Sequence, residues 1–240
     1  MLKKFVWIIA IYFLITLIFS MVKSNNIESV QTDYILWEES CIREYIESKE
    51  LYIFIDLTQR KLFFFKNGEQ VKKYNIAIGA KENPSPIGVF RVIEKGDWGK
   101  GFGGSWMGLN VPWGSYGIHG TTRPDSIGRA ASHGCIRMRN KDVAELYKLV
   151  KHGTIVEIYG GPFGPFGKGF RELHPGDTGA DVMEVQRKLK LKGYYKGYLS
   201  GYYGVAMEKA LNSFQKASSL PISNVIDAKM YERLGIILEE

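Results

Sequence analysis

Cysteine is nearly absent: the 240 residues hold two, Cys41 and Cys135. Two thiols exclude a disulfide-dense scaffold and a four-cysteine zinc site. Histidine is scarce as well. His119, His133 and Cys135 would give a metal only three ligands, and His152 and His174 lie elsewhere and read as surface. No metal and no other cofactor is therefore expected. There is no run of five or six basic residues, although Lys+Arg 32 against Asp+Glu 25 leaves a net charge of +7. An excess spread in this way disfavours a nucleic-acid arm and favours an anionic surface such as a membrane or cell wall. An apolar fraction of 45% with 24% charged residues excludes a disordered chain.

Long hydrophobic runs are limited to one. Residues 5–22 (FVWIIAIYFLITLIFSMV) carry no charge. At 1.5 Å per residue they reach roughly 27 Å, close to the hydrocarbon thickness of a bilayer. Lys3 and Lys4 precede the run and Lys23 follows it, which predicts a cytoplasmic N-terminus and an extracytoplasmic remainder. A signal peptide is the rival reading, but its apolar stretch is usually shorter and no clean small-x-small cleavage site is present. A buried core helix would carry a polar stripe, and this run has none. Residues 1–23 are thus expected to be a single-pass membrane anchor.

Residues 24–50 read as a stalk or packing helix carrying Cys41, for which no role is expected. From Leu51 the pattern alternates β-branched and aromatic residues with polar ones, and Asn67-Gly68 marks a hairpin turn. A further strand starts at Gly88, after the turn Pro84-Ser-Pro86. Residues 94–118 are rich in Gly and Trp without periodicity, and a loop of that length in a compact domain is usually functional. Asn140 or Asp142 is expected to cap a helix bearing Val143, Leu146, Tyr147 and Val150 on one face, with Gly153 ending it. A last strand covers residues 154–159. Residues 51–159 therefore predict a mainly β domain with one clear helix. Residues 160–171 (GGPFGPFGKGFR) read as a Gly/Pro linker that couples its neighbours loosely. Residues 172–240 turn helical, with apolar faces Val182/Val185/Leu189 and Ala206/Ala210/Phe214, and a last helix capped by Asp227 and closed by Gly235. This is a small all-α, three-helix domain, present once.

The chemically informative stretch is Gly117-Ile-His119-Gly120 followed by Ser132-His133-Gly134-Cys135-Ile-Arg137-Met138. A thiol becomes a useful nucleophile when a base or a positive neighbour supports the thiolate. His119, on a glycine-flanked strand end, can serve Cys135 through space. The Gly134 and Cys135 amides can face a developing oxyanion. Arg137, two residues past Cys135 on a strand, faces the same side and suits a substrate carboxylate. Taken alone, a buried cysteine is more often inert packing. The aromatic residues Trp98, Trp106, Trp113 and Tyr116 are either a lid that excludes water or aromatic core.

These motifs, with Gly79 and the turn Pro84-Ser-Pro86-Ile-Gly88, resemble the catalytic domain of YkuD-type L,D-transpeptidases across about 110 residues. The resemblance implies a β-sandwich-like fold and thiol acyl transfer on peptidoglycan stem peptides. It assigns Cys135 as nucleophile and His119 as its base, the latter held in one tautomer by a backbone carbonyl near Gly120. Ser132, His133 and Gly134 shape the oxyanion turn. Arg137, Ser132, Gly120 and Tyr116 become candidate substrate contacts. An amine acceptor from a neighbouring stem gives a 3–3 cross-link, and water in its place gives an L,D-carboxypeptidase. The short stretch from His119 to Ser132 departs from many members and bears on pocket width. The C-terminal module resembles a three-helix peptidoglycan-binding domain through Pro175-Gly176-Asp177-Thr178-Gly179, Gly193-Tyr194-Tyr195, Tyr203-Gly204 and Ala210-Leu211-Asn212-Ser213-Phe214-Gln215. Sortases lack Ser-His-Gly-Cys, and papain-like wall peptidases reverse the order of His119 and Cys135. A non-catalytic wall-binding protein would not need the intact pair. The partners implied are peptidoglycan and, through residues 1–23, the membrane; nucleic acid is not among them.

Overall fold

The computed structural model describes residues 51–237. The expected anchor, the 24–50 segment and Cys41 lie outside the described residues. Among the described residues, no helix is long and apolar enough to cross a membrane.

Ten strands form in chain order: β1 Leu51–Asp56, β2 Lys61–Lys66, β3 Glu69–Asn75, β4 Ile78–Gly79, β5 Gly88–Gly96, β6 Trp106–Leu109, β7 Tyr116–His119, β8 Ala130–Ser132, β9 Ile136–Arg137 and β10 Ile155–Tyr159. Eight of them make one sheet, ordered β3-β2-β1-β10-β5-β6-β7-β9, while β4 and β8 pair separately. The β2–β3 hairpin turns at Asn67 and Gly68, both at positive φ (51° and 79°), which suits the right-handed twist of the strands it joins.

Register explains the core. Phe64, Ile53, Val156 and Phe90 are successive cross-strand partners on β2, β1, β10 and β5, and all are buried. Leu62, Ile55 and Ile158 form the next row, two residues along each strand, on the same face. A register shift between Val92 and Glu94 interrupts the β5–β6 pairing, and such irregularities bend a strand. Met107, Ile118 and Ile136 of the far half join Ile53 and Phe64 in one hydrophobic cluster. One eight-stranded sheet thus carries the core, in agreement with the mainly β expectation.

Helix α1 (Asn140–Leu149) covers this core with Val143 and Leu146. Glu145 fastens it to β3, accepting from Tyr74 Oη at 3.0 Å and pairing with Lys72 at 2.5 Å. Its end is set by Lys95 of β5, whose ammonium donates to the Tyr147 and Val150 carbonyls at 2.7 and 2.6 Å. A cation on the last unpaired carbonyls is a common way to finish a helix. Gly153, expected to stop it, lies beyond in the turn toward β10.

The C-terminal segment holds α2 (Ala180–Leu191), α3 (Val205–Ala217) and α4 (Ala228–Leu234). Val182, Val185 and Leu189 meet Leu211, Phe214, Tyr231 and Leu234 in a second core. Asp227 caps α4 by accepting from the Met230 amide at 2.8 Å, and Gly235 closes it at φ 75°.

The loosely coupling linker is not what the structure contains. Gly160 lies against Ile87 of the β domain. Phe170 stacks on Tyr231 at 4.3 Å, and Phe166 packs edge-on against both. Tyr231 Oη donates to the Arg171 carbonyl at 2.9 Å. The glycines supply the turns, and the aromatic residues between them, which composition alone treats as linker filling, pack onto the helical core.

Candidate active site

The site forms where β7 and β9 run side by side. They are parallel, with Ile118 opposite Ile136 and His119 opposite Arg137. Alternation then places Gly117 and His119 on one face of β7 and Arg137 on the matching face of β9, with Cys135 in the bend immediately before β9. His119 and Arg137 are therefore brought to one surface, and Gly117 and Arg137 of the same two strands act on the Cys135 thiol. Cys135 is the free thiol among the described residues.

His119 is buried, 5% exposed. Its Nδ1 lies 2.6 Å from the Gly120 carbonyl. A carbonyl only accepts, so Nδ1 carries the proton and Nε2 is left as a base. Phe102 and Trp106 pack on the imidazole with ring centroids 4.8 and 5.7 Å away. Burial among these rings pulls the histidine down to about 4, with the positive charge of Arg137 acting in the same direction and the Gly120 carbonyl against it. Burial raises the Cys135 thiol, while the Gly117 amide and Arg137 hold it back. At neutral pH the resting pair is thus a thiol and a neutral imidazole.

The turn before Cys135 is fixed by Ser132. Its Oγ accepts from the Gly134 amide at 3.1 Å and donates to the Cys135 carbonyl at 2.6 Å. Gly134 stands at φ 107°, and a Cβ there would lie 2.6 Å from the Tyr116 ring. Only glycine satisfies both the backbone and the space. The expectation that the Gly134 amide serves an oxyanion is corrected here, because that amide already donates to Ser132. The Cys135 amide remains the candidate donor.

Other sequence-derived residues separate into groups. Arg137 donates from Nη1 to the Ala131 carbonyl at 3.1 Å and acts electrostatically on both His119 and Cys135. Tyr116 is half-buried, and burial raises its phenol, with Cys135 adding to the effect. His133 is exposed and lines an adjoining cleft. Gly120 is buried, its amide donating to the Phe102 carbonyl at 2.9 Å, so it orients His119 and does not face a substrate. Trp106 belongs to β6 at 3% exposure and Trp98 stacks on it at 4.1 Å. Trp106 packs on His119, which favours the core reading for that ring, whereas Trp98 lies outside the core and is 45% exposed.

Two contributors escaped the sequence. Asn140 does not cap α1; Arg139 takes that position without a side-chain bond. The Asn140 Oδ1 instead accepts from the Thr121 amide at 2.8 Å and fixes the chain just after His119. Phe102, within a glycine-rich turn, covers the imidazole. Its only signal was an aromatic residue isolated among glycines. No group of three or more His, Cys, Asp or Glu able to hold a metal occurs among the described residues.

Residues 50–158 match the YkuD family of L,D-transpeptidase catalytic domains, and residues 178–234 match a peptidoglycan-binding domain family. A Bacillus licheniformis protein assigned to the L,D-transpeptidases under the name YkuD is 42% identical over 107 residues, covering 44% of this chain and 64% of that protein. Its Bacillus subtilis counterpart is 42% identical over 108 residues, covering 45% and 65%. The chain thus spans just under two thirds of the length of either. The NMR structure of the catalytic domain from an Enterococcus faecium L,D-transpeptidase is 27% identical, covering 47% of this chain and 99% of that one, with a TM-score of 0.41. The Bacillus subtilis protein assigned as L,D-transpeptidase YqjB is 30% identical over 123 residues, 45% of this chain and 70% of that protein. With Cys135, His119 and the Ser132 turn assembled on paired strands inside the matched region, the chain belongs to the YkuD family of L,D-transpeptidases.

Proposed function

We propose that this protein is a membrane-anchored L,D-transpeptidase that forms 3–3 cross-links between peptidoglycan stem peptides through a thioester on Cys135. The observation that carries the reading is the His119–Gly120 bond of 2.6 Å, which leaves Nε2 unprotonated beside the strand that Cys135 precedes.

In this mechanism Cys135 Sγ attacks the carbonyl carbon of the third stem residue and its proton passes to His119 Nε2. The oxyanion forms toward the Cys135 amide. The bond to the terminal D-alanine breaks, and its amine takes the proton back from His119, leaving the thioester. An amine of a second stem attacks that thioester, loses a proton to His119, and the C–S bond breaks as Sγ recovers the proton. Burial of His119 beneath Phe102 and Trp106 supports a base that stays neutral and ready for each step. Arg137 holds the electrostatic balance of both groups. The uncharged run of residues 5–22 and the flanking lysines support an anchor with the catalytic and wall-binding segments outside the cell.

The test is to incubate the purified protein with a stem tetrapeptide and identify products by mass spectrometry. A 3–3 linked dimer and free D-alanine support the reading. Free D-alanine with tripeptide alone reassigns the protein as an L,D-carboxypeptidase, and no D-alanine at all rejects both.

A further inference from the structure

A cleft of about 750 Å³ opens beside Tyr116 and His133, and its walls come from two segments. One wall is the catalytic segment, with residues 79–87, Trp113 and Tyr116. The other is the first loop of the helical segment, residues 176–181, together with Arg171. The walls are in contact. A Cβ on Gly201 of the helical segment would lie 2.4 Å from Trp113 Cε3, so the indole is seated directly on that backbone. Trp113 lines the same cleft as Tyr116, and Tyr116 packs against Gly134, the residue before the nucleophile. Trp113 and Tyr116 therefore line the cleft between the helical segment and the Cys135 turn.

The far wall is held in place from within. Arg171 Nε meets Asp181 at 2.6 Å, its guanidinium reaches Asp177 at 3.4 Å, and Nη2 donates to the Thr178 carbonyl at 2.9 Å. Arg60, Lys81 and Lys168 also line the cleft, together with Glu82. Its cations outnumber its carboxylates, Glu82, Asp177 and Asp181, and it borders His133 in the turn before Cys135, which suits an extended peptide bearing carboxylates.

We propose that the helical segment is part of the substrate site: the stem peptide lies between the two segments, and residues 176–181 decide which stems reach Cys135. The inference rests on the reading that stem peptides are the substrate. The peptidoglycan-binding module then does more than retain the enzyme on the wall, because it presents the stem to the thiol.

Thr178 is exposed, so Thr178→Trp fills the cleft without entering a core. Release of D-alanine from a soluble stem tetrapeptide should show a KM raised about tenfold with kcat within about twofold, the pattern of lost uniform binding. Lys168→Glu should raise KM in the same direction. Alkylation of Cys135 by iodoacetamide, which does not need the cleft, should keep the wild-type rate in both variants. Ile222→Ser, an exposed change on the same segment outside the cleft, should leave KM unaltered. An unchanged KM in folded Thr178→Trp overturns the proposal, as does an equal rise in Ile222→Ser or slowed alkylation. Absence of D-alanine release by the wild-type chain is a separate failure, visible before any variant is made, and it rejects the stem-peptide substrate itself.

Discussion

Lowering the pH from 7.5 to 5.5 is expected to leave the rate of Cys135 acylation nearly unchanged. The structure sets the magnitude. His119 acts as a base only when neutral, and burial brings its pKa from 6.5 to about 4. Its neutral fraction then changes by less than about 5% over this range and falls only as the pH approaches 4. A histidine left at its ordinary value would lose about tenfold in neutral fraction across the same two units. A reaction limited by pre-formed thiolate would fall about a hundredfold, because burial holds the Cys135 thiol above its usual 9.0. The three mechanisms are well separated. The assay is stopped-flow acylation by a β-lactam with product followed on the intact protein. The substrate must not titrate between pH 3.5 and 8, and wild-type fluorescence at each pH checks the fold. A flat profile with a break near 4 is predicted. A tenfold fall centred near 6.5 would show that Phe102 and Trp106 do not exclude water from the imidazole. A slope of one decade per unit would remove His119 as the base.

The same burial affects stability. In the unfolded chain His119 titrates near 6.5 and in the fold near 4, so charging favours unfolding. Full stability is present above pH 6.5 and is lost as the pH falls toward 4, by about 3 kcal/mol at 1.36 kcal/mol per unit; urea unfolding of wild type and His119→Gln should differ by this slope, and equal slopes would contradict it. Gly134→Ala puts a methyl group 2.6 Å from the Tyr116 ring at a φ of 107°, so it should cost at least about 1 kcal/mol and most of the activity. Normal turnover in that variant would mean that the Ser132–Cys135 turn relaxes freely.

Local signals were the legible ones. Asn67-Gly68 specifies its hairpin because both residues tolerate positive φ. Asp227 and Gly235 bracket α4 because capping needs only neighbours a few residues away. His119 and Cys135 are paired through the family resemblance that the Ser-His-Gly-Cys motif and its upstream His-Gly carry, and β7 and β9 run side by side in the fold. Asn140 shows where such reading stops. An asparagine at a helix start looks the same whether it caps that helix or, as here, fixes the Thr121 amide of another loop. The Gly134 amide looked available because its competitor, the Ser132 hydroxyl, is visible only once the turn closes. The seating of Trp113 on Gly201 joins residues 88 positions apart, and no local pattern encodes it. For the same reason the aromatic residues of 160–171 read as a flexible connection.

The central claim, that Cys135 is the thiol that carries the acyl group, is tested most directly by trapping it. Wild-type protein, Cys135→Ala and Cys41→Ala are each incubated with stem tetrapeptide, quenched in acid and weighed intact. The account predicts a mass increase equal to the mass of the tetrapeptide minus that of free D-alanine, mapped to Cys135, present in wild type and Cys41→Ala and absent in Cys135→Ala. An adduct that survives in Cys135→Ala, or that maps to Cys41, would contradict it.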